Sequence, residues 1–441
     1  SQTRCTGTSV TFSVTAANAG SYQWQKNTLN IAGATSASYT ISSTVMGDAG
    51  SYRVVIGGVG ACSSVTSNAA VLIMQESVAI SAHPVSQSVC SGSNVAFSVT
   101  ATGTNLTYQW RKVGVNIPGA TTSGYLLTGV TGADAGLYDV VVTGVCGSLT
   151  SNTATLTVTL TGSWTGVTST DWNTTSNWCG GIPGIATDVF IPASAPNMPN
   201  LSGGSGSARQ ITIGAGATLT VGSGGVLNIY GDLINNGIFN ALGGSLAFRG
   251  TSLQSIAGFI ALNATMNGTG GVALAGNSAV TGTLTLTNGN ITVGSSDLAL
   301  SASAAGSTAS HIITNGPGNV VVMFLAASAT RTVPVGSDGT SYNPLTISAN
   351  AGHVTDNFTV NCKTGVPVNG VAGTLLTSDV VNRTWLITEG VAGGSNVNLS
   401  FQWSGVQELT GFQRNRSYVI RHNGAAWLSG PATGAGGTDP Y

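Results

Sequence analysis

Between Gln210 and Leu300 the chain is written in apolar triplets: Ile211-Thr212-Ile213, Leu219-Thr220-Val221, Leu227-Asn228-Ile229, Leu246-Ala247-Phe248, Leu284-Thr285-Leu286, Ile291-Thr292-Val293 and Leu298-Ala299-Leu300. Gly, Asn and Ser separate them. A triplet spans about 10 Å of extended chain, too little to stand as a strand pair, so such pieces bury a common core only by stacking coil on coil. The expectation is a short β-solenoid with coils of roughly 20 residues. Gly231-Asp232-Leu233-Ile234-Asn235-Asn236-Gly237 reads as a corner, since Asn and Gly adopt left-handed dihedrals at little cost. No Gly-Gly-x-Gly-x-Asp ladder occurs, which argues against calcium coils; the turn Asn and Ser are expected to form side-chain ladders instead.

Composition fixes the class. Charged residues make up 6% of the 441, against about 25% in ordinary domains, so Ser, Thr, Asn and Gly must cover the surface. A net charge of -1 leaves no basic patch to displace counterions from phosphates, which excludes electrostatic nucleic-acid binding. Alternating Val, Thr, Ile and Phe predict an all-β chain, and no apolar run reaches the roughly 18 residues of a membrane span. Ser1 follows no leader and Tyr441 closes a Gly-rich run, so the chain is expected to be a piece of a longer exported protein.

Residues 1 to 158 repeat. Cys5 and Phe12 recur 85 residues on as Cys90 and Phe97; Trp24, Asp48 and Tyr52 recur after 86 as Trp110, Asp134 and Tyr138. Cys62 and Ser67-Asn68 recur after 84 as Cys146 and Ser151-Asn152. Each copy runs from an apolar strand through Tyr-Gln-Trp to Asp-Ala-Gly-x-Tyr and alternating Val. This order resembles the immunoglobulin-like sandwich, which implies a buried Trp and a tyrosine corner. Val54 and Val140 stand where antibody domains carry the bridging Cys, so apolar packing is expected to replace that disulfide.

Six cysteines in a weakly charged β chain fit an oxidising compartment. Cys5 and Cys90 precede the second strand of each copy, and Cys62 and Cys146 follow the tyrosine-corner strand. Those turns lie about 20 Å apart in one sandwich, whereas a disulfide needs Cα atoms within about 7 Å. A tandem array therefore favours Cys5 with Cys146 and Cys90 with Cys179, leaving Cys62 for an upstream domain. Pairing within each copy, Cys5 with Cys62 and Cys90 with Cys146, stays open through a non-standard strand arrangement. Cys362, in phase with Phe358 and Val360, reads as a buried thiol first and a partner of Cys179 second.

Trp164, Trp172 and Trp178 crowd a segment from Gly162 to Pro199. Two readings exist: a cap over the open edge of the stack, or a stacking platform for glycans. With the preceding Tyr-Gln-Trp and Asp-Ala-Gly-x-Tyr copies, this Trp-rich start to the triplets resembles surface proteins of Bacteroidota exported by the type IX secretion system. The resemblance implies a bacterial cell-surface location, and it extends to a C-terminal sandwich from residue 311. Residues 382–385 and 414–421 hold many of the few arginines, expected to pair with Glu389 and Glu408.

Chemistry is sparse. His83, His311, His353 and His422 have no neighbour at zinc-like spacing. Asp232 and Asp297 are the sole carboxylates between Ala193 and Ser310, and both sit at turns, which argues against a glycosidase pair. The expected organisation is an immunoglobulin-like domain over 1–74, a second over 75–159, a Trp-rich cap plus solenoid over 160–310, and a sandwich over 311–441. The expected role is a non-enzymatic, cofactor-free stalk or adhesin segment on the bacterial surface. Its partners would be neighbouring domains, other copies of itself, or surface glycans and proteins. A filament subunit assembled end to end and a glycan-binding protein using the Trp segment are the alternatives.

Overall fold

The computed structural model describes residues 1–368, 373–378, 380–391, 396–413, 420–422 and 427–429. The chain divides into two compact units, Ser1–Leu160 and Thr161–Tyr441.

The first unit holds two immunoglobulin-like sandwiches. In copy one, Val10–Ser13 pairs antiparallel with Ser38–Ile41 to form one sheet. The facing sheet carries, in spatial order, Gln2–Cys5, Ala70–Gln75, Gly50–Gly58, Ala19–Lys26 and Leu29–Asn30. Gln2–Cys5 runs parallel to Ala70–Gln75, which places Cys5 beside Gln75. Copy two has the same order, with Cys90 beside Thr159.

The repeat's landmark residues fill the space between the sheets. Tyr52 and Tyr138 are each 1% exposed. Their hydroxyls donate to the carbonyls of Asp48 (2.8 Å) and Asp134 (2.7 Å), and their rings stack on Phe12 and Phe97. Burial, reinforced by Asp48 and Tyr39 around Tyr52 and by Tyr125 and Asp134 around Tyr138, pushes both phenols up to about 12. The Trp24 and Trp110 indoles donate to the carbonyls of Ser36 and Thr122. Val54 and Val140 are fully buried, so apolar packing does replace the inter-sheet disulfide.

The second unit opens with the Trp-rich segment and winds into a parallel β-solenoid of about seven turns across residues 189–336. One face stacks Val189–Ile191, Ile211–Ile213, Leu233–Asn235, Gln254–Ile256, Val272–Leu274, Ile291–Thr292, Ile312–Ile313 and Val335–Gly336. The outer residues of the triplets point inward: Ile211, Ile213, Leu219, Leu227, Ile229 and Leu246 are all 0% exposed, because a period of two sends alternate side chains to one face. Coils have 18 residues at the shortest, Ile256 to Leu274, and 23 at the longest, Leu233 to Ile256. Corners bring backbones so close that only hydrogen fits: a Cβ on Gly318 would lie 2.0 Å from the Ser296 carbonyl oxygen.

Residue 310 does not end the stack, which continues to Gly336. The change comes instead at Val320–Leu325. This strand is parallel to Leu298–Leu300 on one side and antiparallel to Asp356–Thr364 on the other, and Arg383–Glu389 follows antiparallel. A second sheet of Thr330–Val333, Leu345–Ala349 and Val397–Phe401 covers it. The C-terminal sandwich thus grows from the last coil, and one apolar core runs unbroken from Trp164 to Cys362. Arg383–Glu389 and Val397–Phe401 are less buried than the inner strands, and Leu399 is 40% exposed.

Candidate functional site: the cysteine-bearing turns

Cys5 is joined to Cys146 across 141 residues, with Cα atoms 5.7 Å apart. The pairing within copies, Cys5 with Cys62 and Cys90 with Cys146, is excluded. The reason lies in the register. Cys5 neighbours Gln75 at the end where copy one hands over to copy two, whereas Cys62 lies beyond Gly58, the far end of a nine-residue strand about 30 Å long. Cys146, in the Gly144–Gly147 turn of copy two, faces back toward that handover, its sulfur 3.7 Å from the Gln75 carbonyl oxygen.

Polar contacts complete the junction. Thr6 and Ser77 exchange three hydrogen bonds of 2.9–3.0 Å: the Thr6 hydroxyl donates to the Ser77 hydroxyl and accepts the Ser77 amide, and the Ser77 hydroxyl donates to the Thr6 carbonyl. Glu76 and Thr104 exchange two more, of 2.8 and 3.2 Å. Cys90 and Cys179 each take part in a disulfide. Cys62 and Cys362 are thiols, the first exposed and the second buried, so Cys362 is no partner of Cys179. Burial pushes the Cys362 thiol up to about 12, and its backbone is held by the Thr314 hydroxyl at 2.7 Å.

The three tryptophans form a plug. Trp164, Trp172 and Trp178 are 1%, 0% and 4% exposed and meet edge to face at 4.8 and 4.6 Å. Ser163 bridges in parallel to Phe190 and Asp171 to Asn200, so the segment adds a last rung to the first coil and covers its edge. No indole face is open to solvent, so none of the three rings is presented for a glycan to stack on.

Asp232 and Asp297 do not form a catalytic pair. Asp232 accepts the Ser255 amide at 2.7 Å, and Asp297 accepts the Asn319 amide at 2.9 Å. Asn263, Asn277 and Asn290 accept the amides of Thr283, Asp297 and His311 in the same way, each one coil further on. The turn ladder expected from the sequence therefore includes the two carboxylates. Histidines are equally structural: His83 accepts the Asn152 amide, His311 is wedged between the Ser307 and Asp338 carbonyls, and His353 contacts the Leu325 carbonyl. The side chain of His422 lies outside the described residues.

One polar cluster escaped the sequence reading. Arg383 donates to Asn343 (3.0 Å), Ser341 (2.6 Å) and the Asn382 carbonyl, and Asn343 in turn binds Gln407 at 2.6 Å. Arg383 also approaches Asp338 at 3.9 Å, rather than pairing with Glu389 or Glu408. Burial works against the Asp338 charge, but hydrogen bonds from Ser341, Thr340 and Ser337 outweigh it and hold the carboxyl well below the usual range. Ser337-Asp338-Gly339-Thr340 was a visible turn signal; its partner Arg383 lies too far along the chain to be linked to it from sequence. Residues 414–419 lie outside the described residues. Among the described residues no three His, Cys, Asp or Glu side chains gather as a metal would require, and no helix is long and apolar enough to cross a membrane.

Residues 163–245 match a family described as a domain of unknown function, DUF8693, and residues 1–76 match another, DUF8696. No curated protein matches the chain. Among solved structures, the titin I-band fragment I67–I69 is 21% identical over 37% of this chain and 64% of that one, with a TM-score of 0.30. The N-terminal four Ig domains of Dscam1 isoform 6.9 are 21% identical over 36% and 43%, TM-score 0.29. The insect immune protein hemolin is 17% identical over 36% and 44%, TM-score 0.30. The chain spans less than two thirds of the length of these structures. Strand order and register, described above, are what define its two sandwiches as immunoglobulin-like.

Proposed function

We propose that this chain is a non-enzymatic structural or adhesive segment of an extracellular protein, serving as a stiff spacer on a bacterial surface. The carrying observation is the unbroken core from Trp164 to Cys362, plugged by tryptophans before the first coil and merged into a sandwich after the last. A stack closed in this way is suited to holding its ends at a fixed separation. Two further points support the reading: the Cys5–Cys146 disulfide suits an oxidising location, and Asp232, Asp297, His83, His311 and His353 are all occupied in holding backbone. The test is surface proteolysis and immunogold labelling of intact cells, with electron microscopy of the purified chain. Labelling outside the cell and separate, unpolymerised particles are expected; a cytoplasmic protein with Cys5 and Cys146 reduced would overturn the proposal, and end-to-end polymers would favour a filament subunit instead.

A further inference from the structure

We infer that Cys62 is the receiving half of a second inter-domain staple, and that its partner is a cysteine ending the first strand of an immunoglobulin-like module that precedes residue 1 in the same polypeptide. The inference rests on the extracellular reading above, because the bond needs an oxidising compartment.

The internal repeat supplies the comparison. Cys62 follows Gly50–Gly58 in the turn leading to Val65–Thr66, and Cys146 follows Gly136–Gly144 in the turn leading to Gly147–Thr150, with Val55 opposite Thr66 and Val141 opposite Thr150. Cys146 is bonded to the first-strand cysteine of the copy before it. Cys5 and Cys90 occupy one structural position, beside Gln75 and Thr159 at the ends of their last strands, and both are disulfide-bonded. Of these four cysteines, which fall into two equivalent pairs, only Cys62 carries a thiol, and it is exposed. The first module thus reaches forward with its first-strand cysteine, and the second receives it at the turn after its tyrosine-corner strand.

The described junction also indicates what the incoming module looks like. Thr6, directly after Cys5, ties the first strand to Ser77 of the linker, and Ser91 directly follows Cys90. A Cys followed by Thr or Ser is therefore the expected signature. In forming the bond, the Cys62 sulfur and the incoming sulfur each lose a proton. A protein or small-molecule disulfide of the export compartment accepts the two electrons and is released as its dithiol.

A non-reducing peptide map of the protein from its own cells is the first test. The expected result is a Cys62 peptide linked to a Cys-Thr or Cys-Ser peptide from outside residues 1–441 of this chain. Cys62 recovered as a free thiol, joined to Cys62 of a second copy, or joined to any cysteine within residues 1–441 overturns the inference. Cys62 free beside an intact Cys5–Cys146 bond would sink this inference and leave the extracellular reading standing. A second test places a duplicate of residues 1–85 ahead of Ser1, recreating the spacing of Cys5 and Cys90. After oxidation, two titratable thiols under denaturing conditions are expected; four would refute the staple. Cys62→Ser in the extended chain should leave three.

Discussion

Tyr52 and Tyr138 make the stability of the immunoglobulin-like unit depend on pH in the alkaline range. Each phenol is pushed up to about 12 in the fold, against 10.0 for an ordinary tyrosine. Between those values the unfolded chain gives up the proton and the native chain keeps it, so stability is fully present below pH 10 and falls as pH rises toward 12. Two pH units at about 1.36 kcal/mol each give a loss of about 2.7 kcal/mol per tyrosine, or about 5 kcal/mol for the pair. Tyr→Phe at both positions removes the hydroxyl and its bond to the Asp48 or Asp134 carbonyl, which costs about 1 kcal/mol apiece at neutral pH. The double variant should therefore be the less stable protein by about 2 kcal/mol at pH 8 and the more stable one at pH 12, with the order reversing near pH 11. Guanidinium unfolding from pH 8 to 12 measures this, carried out in a Cys62→Ser, Cys362→Ser background so that no thiolate reshuffles the disulfides. Only the transition of the first unit should move. Parallel stability curves across the range would refute the reasoning, as would a difference absorbance titration placing both phenols near 10 in the folded protein.

Removing the staple with Cys5→Ser plus Cys146→Ser should destabilise the first unit by about 3–5 kcal/mol, since a loop of 141 residues is released; denaturation with and without reductant should show the wild type falling to the level of the variant. Trp178→Ala should cost about 3–5 kcal/mol and expose the first coil's edge, seen as a lower midpoint of the second unit and as aggregation. Asp297→Ala should cost about 1–2 kcal/mol by leaving the Asn319 amide without its acceptor, whereas Asp297→Asn should keep most of the stability. Cys362, deeply buried, should resist a thiol reagent until the second unit unfolds, while Cys62 should react at once in a folded chain of residues 1–441 produced without any preceding module.

The sandwiches were legible because their signals are local. Tyr-Gln-Trp and Asp-Ala-Gly-x-Tyr each specify a buried ring and its hydrogen bond within a few residues, and repetition made them checkable. The triplets were legible as coils for a similar reason: period two fixes which side chains face in. What remained hidden depends on neighbours a whole coil away. Asp297 looked like an isolated turn carboxylate because its partner, Asn319, lies on the next coil. Arg383 looked like an edge cation until the fold brought it to Asn343 and Ser341. The point where the stack gives way to the sandwich was invisible, since Val320–Leu325 has the same alternation whether its neighbour runs parallel or antiparallel. The cysteines fell between: geometry favoured Cys5 with Cys146, but only the register of Cys5 against Gln75 decides it.

That staple also determines how the first unit answers tension. A load entering ahead of Cys5 and leaving beyond Cys146 passes through the sulfur–sulfur bond and bypasses the strands between them. If both sandwiches came apart under that pull, the enclosed chain of 141 residues would still be barred from paying out the roughly 480 Å it could span when drawn straight. The tether would lengthen by the few residues outside the loop and then hold, and the sandwiches would be free to refold with their ends already in place.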